Sequence, residues 1–562
     1  IMASPADVKL DINDPKLEPL VAEVSASPSG PNPIVAGIKT IIKTILLLPV
    51  YVLLFSLDFV FMILTFKWVG IFIQIFARNA TRSVPVDGQM HHRWSKAAAK
   101  NGLSVTPFPG VTTIYDFAKR AFELHGHTRC MGTRRYLGSP SKIAMKGGFK
   151  KEFGETVWRT YQEVGTMANK FGAALRGAGL VAAKETTDLK QLTTSCSVAI
   201  FENTSAEWMI SAQGCFTQSI IVTTIYATLG MDAVIDAVKD CKIRAIVCNK
   251  TNVAKLMARI NEMPTLKVII YTNDMVAPGD ATAVPASTNA VTVTSFEDFV
   301  ASGDVAKFPP TPPTPETCAV IMYTSGSTGK PKGVVVTHAN LLATCSGAID
   351  ALGVRVGNDT YLGYLPLAHI LELIAEIGML GFGCTICYAD PKTLTTTGAH
   401  PIGALEQYSP TIMAGVPKIW DVIKKGVQAK VAAGSPVAQF LVNTAIAART
   451  FAIGWGYDTP LFNALVFKKF AKVVGGKLRL ALSGGGPLNT EVQLFVRTAF
   501  GCPLFQGYGL TETCAGLSLQ DPLDLRCGIA GVPIAACEVK LESCPDIQDK
   551  KKNPYLITDT TD

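Results

Sequence analysis

Residues 323–342 read YTSGSTGKPKGVVVTHANLL, and the stretch Thr324–Gly333 within them holds three glycines, four hydroxyl side chains and two lysines. The apolar runs CAVIMY before this stretch and GVVVT after it predict β-strands, so we expect a loop that joins two strands. Glycines let backbone N–H groups approach an anion closely, hydroxyls donate hydrogen bonds and lysine supplies positive charge. The composition therefore favours a loop that binds polyphosphate over a flexible linker.

This loop differs from the P-loop of nucleotide triphosphatases, which needs G-x-x-x-x-G-K-[ST] between a strand and a helix. Gly326 and Gly329 are three residues apart, Lys330 is followed by Pro331, and the next helix is expected only near Thr337. The sequence therefore argues against a P-loop motor or kinase.

The residues before the loop alternate between two hydrophobic periodicities. The runs CSVAIFEN, SIIVTTIY, RAIVCN and LKVIIYTN predict buried strands, whereas MDAVIDAVKDC and VAKLMARINEM predict helices. Thr204 and Glu207, in a Thr-x-x-Glu pattern, predict a capping box that opens another helix. Alternation of this kind is typical of a parallel sheet with helices on its faces, so the predicted fold class is α/β.

Composition divides the chain into four expected segments. Residues 305–316 carry five prolines and predict an extended linker. We expect an N-terminal extension (1–90), a first α/β subdomain (91–310), a second α/β subdomain with the binding motifs (311–527) and the start of a third, β-rich subdomain (528–562).

The segment 44–66, TILLLPVYVLLFSLDFVFMILTF, contains one charged residue, Asp58. As a helix it would extend about 34 Å, enough to cross a hydrocarbon core of about 30 Å. Apolar residues would fall on every face of that helix, which favours a membrane anchor over a buried core helix. Whether the segment spans the bilayer or enters it as a hairpin stays open, because positive charges flank it on both sides.

The formal net charge is +8, with 17% charged residues, which is mildly basic. No run of Lys and Arg with interleaved aromatic residues is present, so we expect no nucleic-acid partner and favour attraction to an anionic membrane surface. The 14 cysteines are scattered, apart from the pair Cys384 and Cys387. Buried reduced thiols explain them better than a metal or redox site, which predicts a body that faces the cytosol.

Three further motifs follow the loop. They are YLPLAHILE, which contains His369, then SGGGPL at 483–488 and QGYGLTET at 506–513. Together with YTSGSTGKPKG they resemble the adenylate-forming enzymes, a family of acyl-CoA synthetases, firefly luciferase and peptide-synthetase adenylation domains. NTSAEWMI, IYATLG, HILELIAE and AGVPKIWD are similar to the eukaryotic long-chain fatty acyl-CoA synthetases. The resemblance extends from about residue 90 to the end of the chain.

The resemblance implies a large N-terminal domain of layered αβαβα subdomains and a role for each motif residue. His369, Lys332, Thr511 and Glu512 would be catalytic, with Glu512 and Thr324 holding Mg²⁺. Tyr508 would stack on adenine. The full set expected to bind ATP is Thr324, Ser325, Gly326, Ser327, Thr328, Gly329, Lys332, Gly484, Gly485, Gly486, Pro487, Gln506, Gly507, Tyr508, Gly509 and Thr511.

Each role has a structural alternative that the residues alone leave open. His369 could be a satisfied structural histidine, the Gly484–Pro487 segment an ordinary turn, and Thr511 with Glu512 a helix cap.

The implied reaction is activation of a long-chain fatty acid. Its carboxylate would attack the α-phosphate of ATP, pyrophosphate would leave, and coenzyme A would then take the acyl group from the acyl-adenylate. ATP, Mg²⁺ and coenzyme A are thus the expected cofactors and cosubstrates. Long-chain acids partition into bilayers, so a membrane anchor fits this substrate, and the endoplasmic reticulum or another organelle membrane is the expected location.

In this family a small lid domain with a Thr-Gly-Asp block and a catalytic lysine follows the large domain. The sequence ends at NPYLITDTTD without that block. We therefore expect a truncated fragment that binds ATP and fatty acid weakly and turns over poorly.

Two other functions remain as alternatives. One is a non-catalytic lipid-binding or uptake protein on the same fold, against which Lys332, Thr511 and Glu512 argue. The other is a different acid–thiol ligase, against which HILELIAE and the apolar segment argue.

Overall fold

The structure is a computed structural model. It describes residues 49–50, 52–64, 69–78, 80–139, 144–145, 148–181, 196–324, 332–548 and 554–557. Two large β-sheets and the helices that pack on them make up most of the described chain, in agreement with the predicted α/β fold.

The first sheet has seven strands. Six neighbouring strands run parallel, and the strand at one edge, Lys332–Thr337, runs antiparallel to its neighbour. In spatial order the strands are Thr292–Ser295, Val268–Thr272, Ala245–Asn249, Ser197–Phe201, Ile221–Thr224, Cys318–Thr324 and Lys332–Thr337.

The second sheet has ten strands and is mixed. Its centre is parallel, and antiparallel pairs lie towards both edges. In spatial order the strands are Ala399–His400, Lys151–Thr160, Arg129–Gly138, Thr385–Tyr388, Thr360–Gly363, Ile412–Gly415, Leu480–Ser483, Leu504–Tyr508, Ser518–Leu519 and Val532–Pro533.

The remaining strands form small sheets, and helices fill the connections. The small sheets are Ser83–Val86 with Gln89–Ser95 and Val539–Lys540, Ala144–Met145 with Gly148–Phe149, and Cys544–Gln548 with Pro554–Tyr555. The α-helices are Val52–Leu64, Val69–Arg78, Lys96–Asn101, Ile114–Leu124, Tyr161–Gly177, Ala206–Thr217, Met231–Asp240, Val253–Ala258, Phe296–Ala301, His338–Leu352, Ile370–Gly381, Ala404–Tyr408, Pro417–Ala432, Pro436–Gly454, Pro460–Phe462, Lys468–Ala471 and Thr490–Phe500.

The core is layered because successive side chains of a strand point to opposite faces of the sheet. In the first sheet, Val198 and Ile200 belong to a buried cluster that continues into the second sheet at Leu362 and Ile386. Ala199, between them, packs into a second cluster on the other face. The two sheets therefore share one core, and the first sheet has another on its far side.

The strand predictions for residues 196–273 are confirmed, and so is the strand–loop–strand prediction for the opening motif, since Cys318–Thr324 pairs with Lys332–Thr337. The predicted capping box is wrong. Ser205, rather than Thr204, caps the helix Ala206–Thr217, and its side chain accepts the N–H of Trp208. The hydroxyl of Thr204 is therefore available for a different contact.

Sheet membership does not follow the order of the chain. Arg129–Gly138 and Lys151–Thr160 belong to the second sheet, whereas Cys318–Thr324 and Lys332–Thr337 complete the first. Each sheet thus takes strands from both sides of residue 310, and the subdomain boundaries stay a prediction from composition.

The predicted membrane segment is described at residues 49–50 and 52–64, and its other residues lie outside the described chain. Within the described ranges, one helix, Pro436–Gly454, is long and apolar enough to cross a membrane by length and composition, and Val52–Leu64 is a shorter apolar helix. The helix Pro436–Gly454 is weak evidence for a membrane span, because its residues Ala445, Ala448 and Ala452 are buried against the rest of the protein.

Candidate active site

A cavity of about 910 Å³ opens beside the carboxyl ends of three neighbouring strands of the second sheet. These strands, Ile412–Gly415, Leu480–Ser483 and Leu504–Tyr508, run parallel to one another. Ligands of open α/β sheets bind at the carboxyl ends of such strands. The helices His338–Leu352 and Ile370–Gly381 supply another wall of the cavity.

Every described residue predicted for catalysis, nucleotide binding or metal binding lines this cavity. They are Thr324, Lys332, His369, Gly484, Gly485, Gly486, Pro487, Gln506, Gly507, Tyr508, Gly509, Thr511 and Glu512. The other predicted loop residues, Ser325, Gly326, Ser327, Thr328 and Gly329, lie outside the described chain. Lys332 and Glu512 therefore share one cleft, while the individual roles stay predictions.

Two of the glycine-bearing turns depend on glycine for steric reasons. Gly485 has φ = +75°, in the left-handed region that side chains with a Cβ rarely adopt. A Cβ on Gly509 would lie 1.9 Å from the carbonyl oxygen of Ala515. Backbone conformation thus explains the glycines at these two positions. Without side chains there, backbone N–H groups and open space remain at the cavity wall.

Gln506 lines the cavity, but the protein itself engages its side chain. Its Oε1 accepts the N–H of Leu488 at 3.0 Å, and its Nε2 donates to the carbonyl of Ile529 at 3.2 Å. The side chain of the buried Gln520 accepts the backbone N–H of Gln506 at 3.3 Å. Gln506 therefore links the turn after Ser483 to the segment that contains Ile529.

His369 is the N-cap of the helix Ile370–Gly381, and its Nδ1 accepts the N–H of Leu371 at 3.2 Å. Burial lowers the pKa of the imidazole below its usual value of 6.5. A neutral ring whose Nδ1 is an acceptor carries its proton on Nε2. His369 therefore offers an N–H donor at the cavity wall while its Nδ1 caps the helix.

Thr204 was not predicted as a site residue, yet it holds the segment that leads to His369. Its hydroxyl accepts the N–H of Leu367 at 2.8 Å and donates to the carbonyl of Leu365. The sequence shows a hydroxyl residue at Thr204, in a Thr-x-x-Glu pattern. Before the fold is known, such a residue can be interpreted as a helix cap or as a contact with a distant loop.

Two buried carboxyl groups, Glu372 and Glu376, lie on the helix Ile370–Gly381 and hydrogen-bond it to the neighbouring strands. Glu372 accepts the hydroxyl of Tyr361 at 2.7 Å and the N–H of Tyr364 at 3.2 Å, and Glu376 accepts the hydroxyl of Tyr388 at 2.9 Å. Burial raises the pKa of Glu372 to about 8. Burial, and then the charge of Glu372, raises the pKa of Glu376 well above its usual range.

The cavity changes from polar to apolar along its length. Near His369 and the glycine turns it presents hydroxyl, amide and charged groups, and along the helices it is lined by Cys345, Ala348, Ile374, Gly378 and Phe382. From Leu371 to Phe382 a helix advances about 17 Å. One chamber can therefore hold a polar group at one end and a long hydrocarbon chain at the other.

A metal ion fits the polar end on the chemistry of its donors. The carboxylate of Glu512 and the hydroxyl of Thr324 both lie at the cavity. Hard oxygen donors that leave most of the coordination shell to phosphate and water are the usual environment of Mg²⁺ in proteins. The side chain of Glu512 is exposed and so can turn towards a bound phosphate.

The chain belongs to the AMP-binding enzyme family, whose family model matches residues 133–553. This match covers the whole first sheet, the second sheet apart from the first residues of the strand Arg129–Gly138, and every described residue of the predicted site. Adenylate-forming enzymes, which the sequence motifs resemble, are thus the class that the fold and the cavity define.

Two curated relatives are long-chain acyl-CoA synthetases or ligases by name. Long chain acyl-CoA synthetase 8 of Arabidopsis thaliana is 37% identical over 83% of this chain and 65% of its own length. Long-chain-fatty-acid--CoA ligase 2 of Schizosaccharomyces pombe is 34% identical over 79% of this chain and 65% of its own length. The chain therefore spans about two thirds of the length of these relatives, 65% in each case.

A solved structure supports the fold independently. The anthranilate CoA ligase AuaEII in complex with anthranoyl-AMP superposes with a TM-score of 0.53 at 17% identity, covering 80% of this chain and 67% of that one. At this identity the likeness concerns the fold alone.

Proposed function

We propose that the protein activates long-chain fatty acids with ATP, first to an acyl-adenylate and then to acyl-CoA. The observation that carries this proposal is the single cavity that is polar beside Lys332, His369 and Glu512 and apolar along the helices His338–Leu352 and Ile370–Gly381. The named activities of the two relatives support the same substrates.

In this proposal the nucleotide lies at the polar end. Tyr508, 49% exposed at the cavity mouth, offers its ring to adenine, while Lys332 and the hydroxyl of Thr324 face the β- and γ-phosphates. Thr511 donates to the α-phosphate. Glu512 and Thr324 would hold Mg²⁺, which supplies charge neutralisation for the leaving pyrophosphate when bound.

The fatty acid enters the apolar end with its carboxylate towards His369. One carboxylate oxygen forms a bond to the α-phosphorus, and the bond between that phosphorus and pyrophosphate breaks. The N–H at Nε2 of His369 orients the carboxylate or an α-phosphate oxygen, and Thr204, Glu372 and the N-cap bond hold the ring in place. No protein nucleophile is needed, because catalysis rests on position and charge.

The same proposal places the body on the cytosolic face of the endoplasmic reticulum or another organelle membrane. Eleven of the 14 cysteines are buried, as suits thiols in a reducing compartment. Exposed apolar side chains on the helices Val52–Leu64 and Val69–Arg78 suit contact with lipid.

Binding measurements with the chain itself test the proposal. Calorimetry with ATP in the presence of Mg²⁺, and separately with palmitate, should detect both ligands. Lys332→Met should weaken ATP binding by about ten-fold or more, as expected for one lost charge-assisted contact. Lys477→Met is a matched control, because Lys477 is exposed and precedes the strand Leu480–Ser483 at its amino end.

The outcome also separates the alternative functions. Binding of palmitate without ATP would favour the lipid-binding protein, and binding of ATP without palmitate would favour another acid–thiol ligase. If neither ligand binds, the proposed function is wrong.

A further inference from the structure

The one charged residue of the apolar segment, Asp58, is 6% exposed. It contacts the body of the protein, by which we mean the described residues that follow the helix Val69–Arg78. Its Oδ1 accepts the N–H of Leu461 at 2.8 Å. Leu461 lies in the first turn of the helix Pro460–Phe462, whose N-cap residue Thr459 makes no side-chain capping bond. Asp58 thus provides the missing cap from a helix distant in sequence, which is a favourable position for a carboxylate.

The residues four positions before and after Asp58 face the same way. Leu54 packs against a buried cluster that includes Ala448, Phe462 and Phe467, and Met62 is 2% exposed. Residues spaced by four share one face of a helix. The helix Val52–Leu64 therefore lies along the body over about 12 Å rather than touching it at one end.

Aromatic packing strengthens this attachment. Phe55 meets Phe462 edge to face, with ring centroids 6.4 Å apart and an interplanar angle of 70°. Such pairs add specific geometry to the burial of apolar surface.

The next helix, Val69–Arg78, is fastened to the body at a different place. Nε2 of Gln74 donates to the carbonyl of Leu523 at 3.3 Å, and Ala77 is 6% exposed. Ile73 and Phe76 on this helix are 48% and 78% exposed. Both N-terminal helices thus have one side on the body and apolar side chains on the other.

The outer side of Val52–Leu64 is apolar apart from Ser56. Leu53, Leu57, Phe59, Val60, Ile63 and Leu64 are between 43% and 69% exposed. The segment that begins at Pro460 continues to Ala471, and its exposed residues include Lys468 and Lys469, followed by Lys472. An apolar helix side, and exposed lysines on the segment against which that helix packs, match the two layers of a membrane surface, which are acyl chains and anionic headgroups.

We propose that Val52–Leu64 lies in the plane of an anionic bilayer surface, held on the body by Asp58 and Phe55, and does not cross the membrane. The apolar outer side enters the acyl region, and Lys468, Lys469 and Lys472 contact the headgroups. This proposal rests on the membrane association in the proposed function and specifies how that association occurs. Because the helix is docked along its length, it could span the bilayer only if the attached body and its lysines also entered the hydrocarbon core, which is energetically costly for charged side chains.

Vesicle binding tests the surface. The chain should bind vesicles of phosphatidylcholine with phosphatidylserine more tightly than phosphatidylcholine alone. Changing Lys468, Lys469 and Lys472 to Gln should lower the partition coefficient on the anionic vesicles by about ten- to a hundred-fold and change it little on neutral ones. Phe59→Glu with Phe76→Glu should lower it on both, whereas Leu103→Glu, at a residue 42% exposed elsewhere, should not.

Depth measurements decide between the two membrane geometries. Tryptophan placed singly at Val52, Phe59 or Leu64 should be quenched by bromine near the headgroups more than by bromine deep in the acyl chains, with the same ratio at all three positions. Deep quenching at Phe59 with shallow quenching at the other two would show a crossing helix and overturn the proposal. Absence of vesicle binding by the unchanged chain would overturn it as well.

Hydrogen exchange tests the contact with Asp58 without any membrane. The amide of Leu461 should exchange faster in Asp58→Ala, and Asp58→Asn, which keeps an acceptor, should restore most of the protection. Equal exchange in all three proteins would remove the basis of the proposal. Calorimetry with ATP and palmitate on the same variants keeps a failure of the proposed function distinguishable, because none of these residues lines the cavity.

Discussion

The hydroxyl of Thr204 accepts the N–H of Leu367 at 2.8 Å, across 163 residues of sequence, and donates to the carbonyl of Leu365. Thr204 follows a strand of the first sheet, and Leu367 precedes His369 at the cavity of the second. This relationship makes the position of His369 depend on the docking of the two sheets.

Replacing Thr204 by Val keeps the shape of the side chain and removes both hydrogen bonds. Two backbone groups then lose their partners, so the free energy of unfolding should fall by about 1–3 kcal/mol. Binding of a non-reactive acyl-adenylate mimic, palmitoyl sulfamoyl adenosine, should weaken as well. Thr204→Ser is the matched control and should restore both quantities, and identical values for the Val variant and the parent would contradict the bracing role.

Substitution can separate the helix cap at His369 from its proposed contact with the ligand. His369→Asn keeps a side-chain acceptor at the N-cap, and His369→Ala does not, so the Ala variant alone should lose about 1 kcal/mol of stability. Both should lose affinity for the acyl-adenylate mimic, because neither offers the N–H of Nε2.

The pH dependence of His369 has a definite sign. Its pKa is lowered by burial in the folded state, so its contribution to stability is present above the usual pKa of 6.5 and is lost as the pH falls below it. Urea unfolding at several pH values should show a larger loss in the parent than in His369→Asn, where His125 and His338 remain with pKa values that burial also lowers. The same acid-side loss in the Asn variant would contradict the assignment.

The pair Glu372 and Glu376 should make the protein less stable as the pH rises. Both pKa values are raised in the folded state, chiefly by burial, so the contribution is complete below the unfolded value of 4.5 and is lost as the pH rises through about 8 for Glu372. Glu376→Gln should flatten the fall in unfolding free energy between about pH 5 and pH 9. Glu123→Gln, at an exposed carboxylate, should leave the slope unchanged.

Gly378 offers a graded test of the apolar end of the cavity. A Cβ there would meet Sγ of Cys345 at 3.8 Å and the ring of Phe382 at 3.9 Å, which are ordinary contacts. Gly378→Ala should therefore fold normally and gain up to about 1 kcal/mol of helix stability. Gly378→Leu should block the chamber and weaken the palmitoyl mimic by about ten-fold or more relative to an octanoyl mimic. An unchanged ratio would show that the acyl chain lies elsewhere.

Local patterns were sufficient to predict the α/β class, six of the seven strands of the first sheet and the pairing of Cys318–Thr324 with Lys332–Thr337, whereas the edge strand Thr292–Ser295 was not predicted. Those features depend on the alternation of apolar residues and on turn residues that are neighbours in sequence. The resemblance of the motifs to a known family also predicted which of the described residues would line the cavity.

Contacts between distant segments could not be predicted in the same way. The hydroxyl of Thr204 could cap a helix or brace a remote loop, and only the packing of the two sheets selects the second. Asp58 was expected as an isolated charge in a membrane segment, since nothing near it in sequence shows that Leu461 needs a partner. The buried state of Glu376 follows from its apolar neighbours, yet its contact with Tyr388 requires the fold.

The central claim is that one cavity binds the nucleotide, ATP or the adenylate formed from it, at its polar end and a fatty acyl chain at its apolar end. Displacement of bound palmitoyl sulfamoyl adenosine by ATP and, separately, by palmitate tests this most directly. We expect each ligand alone to displace the mimic competitively, and the mimic to bind about a hundred-fold or more tightly than either, because it joins two adjacent sites. If ATP or palmitate binds the chain without displacing the mimic, the two ligands do not share this cavity and the account is wrong.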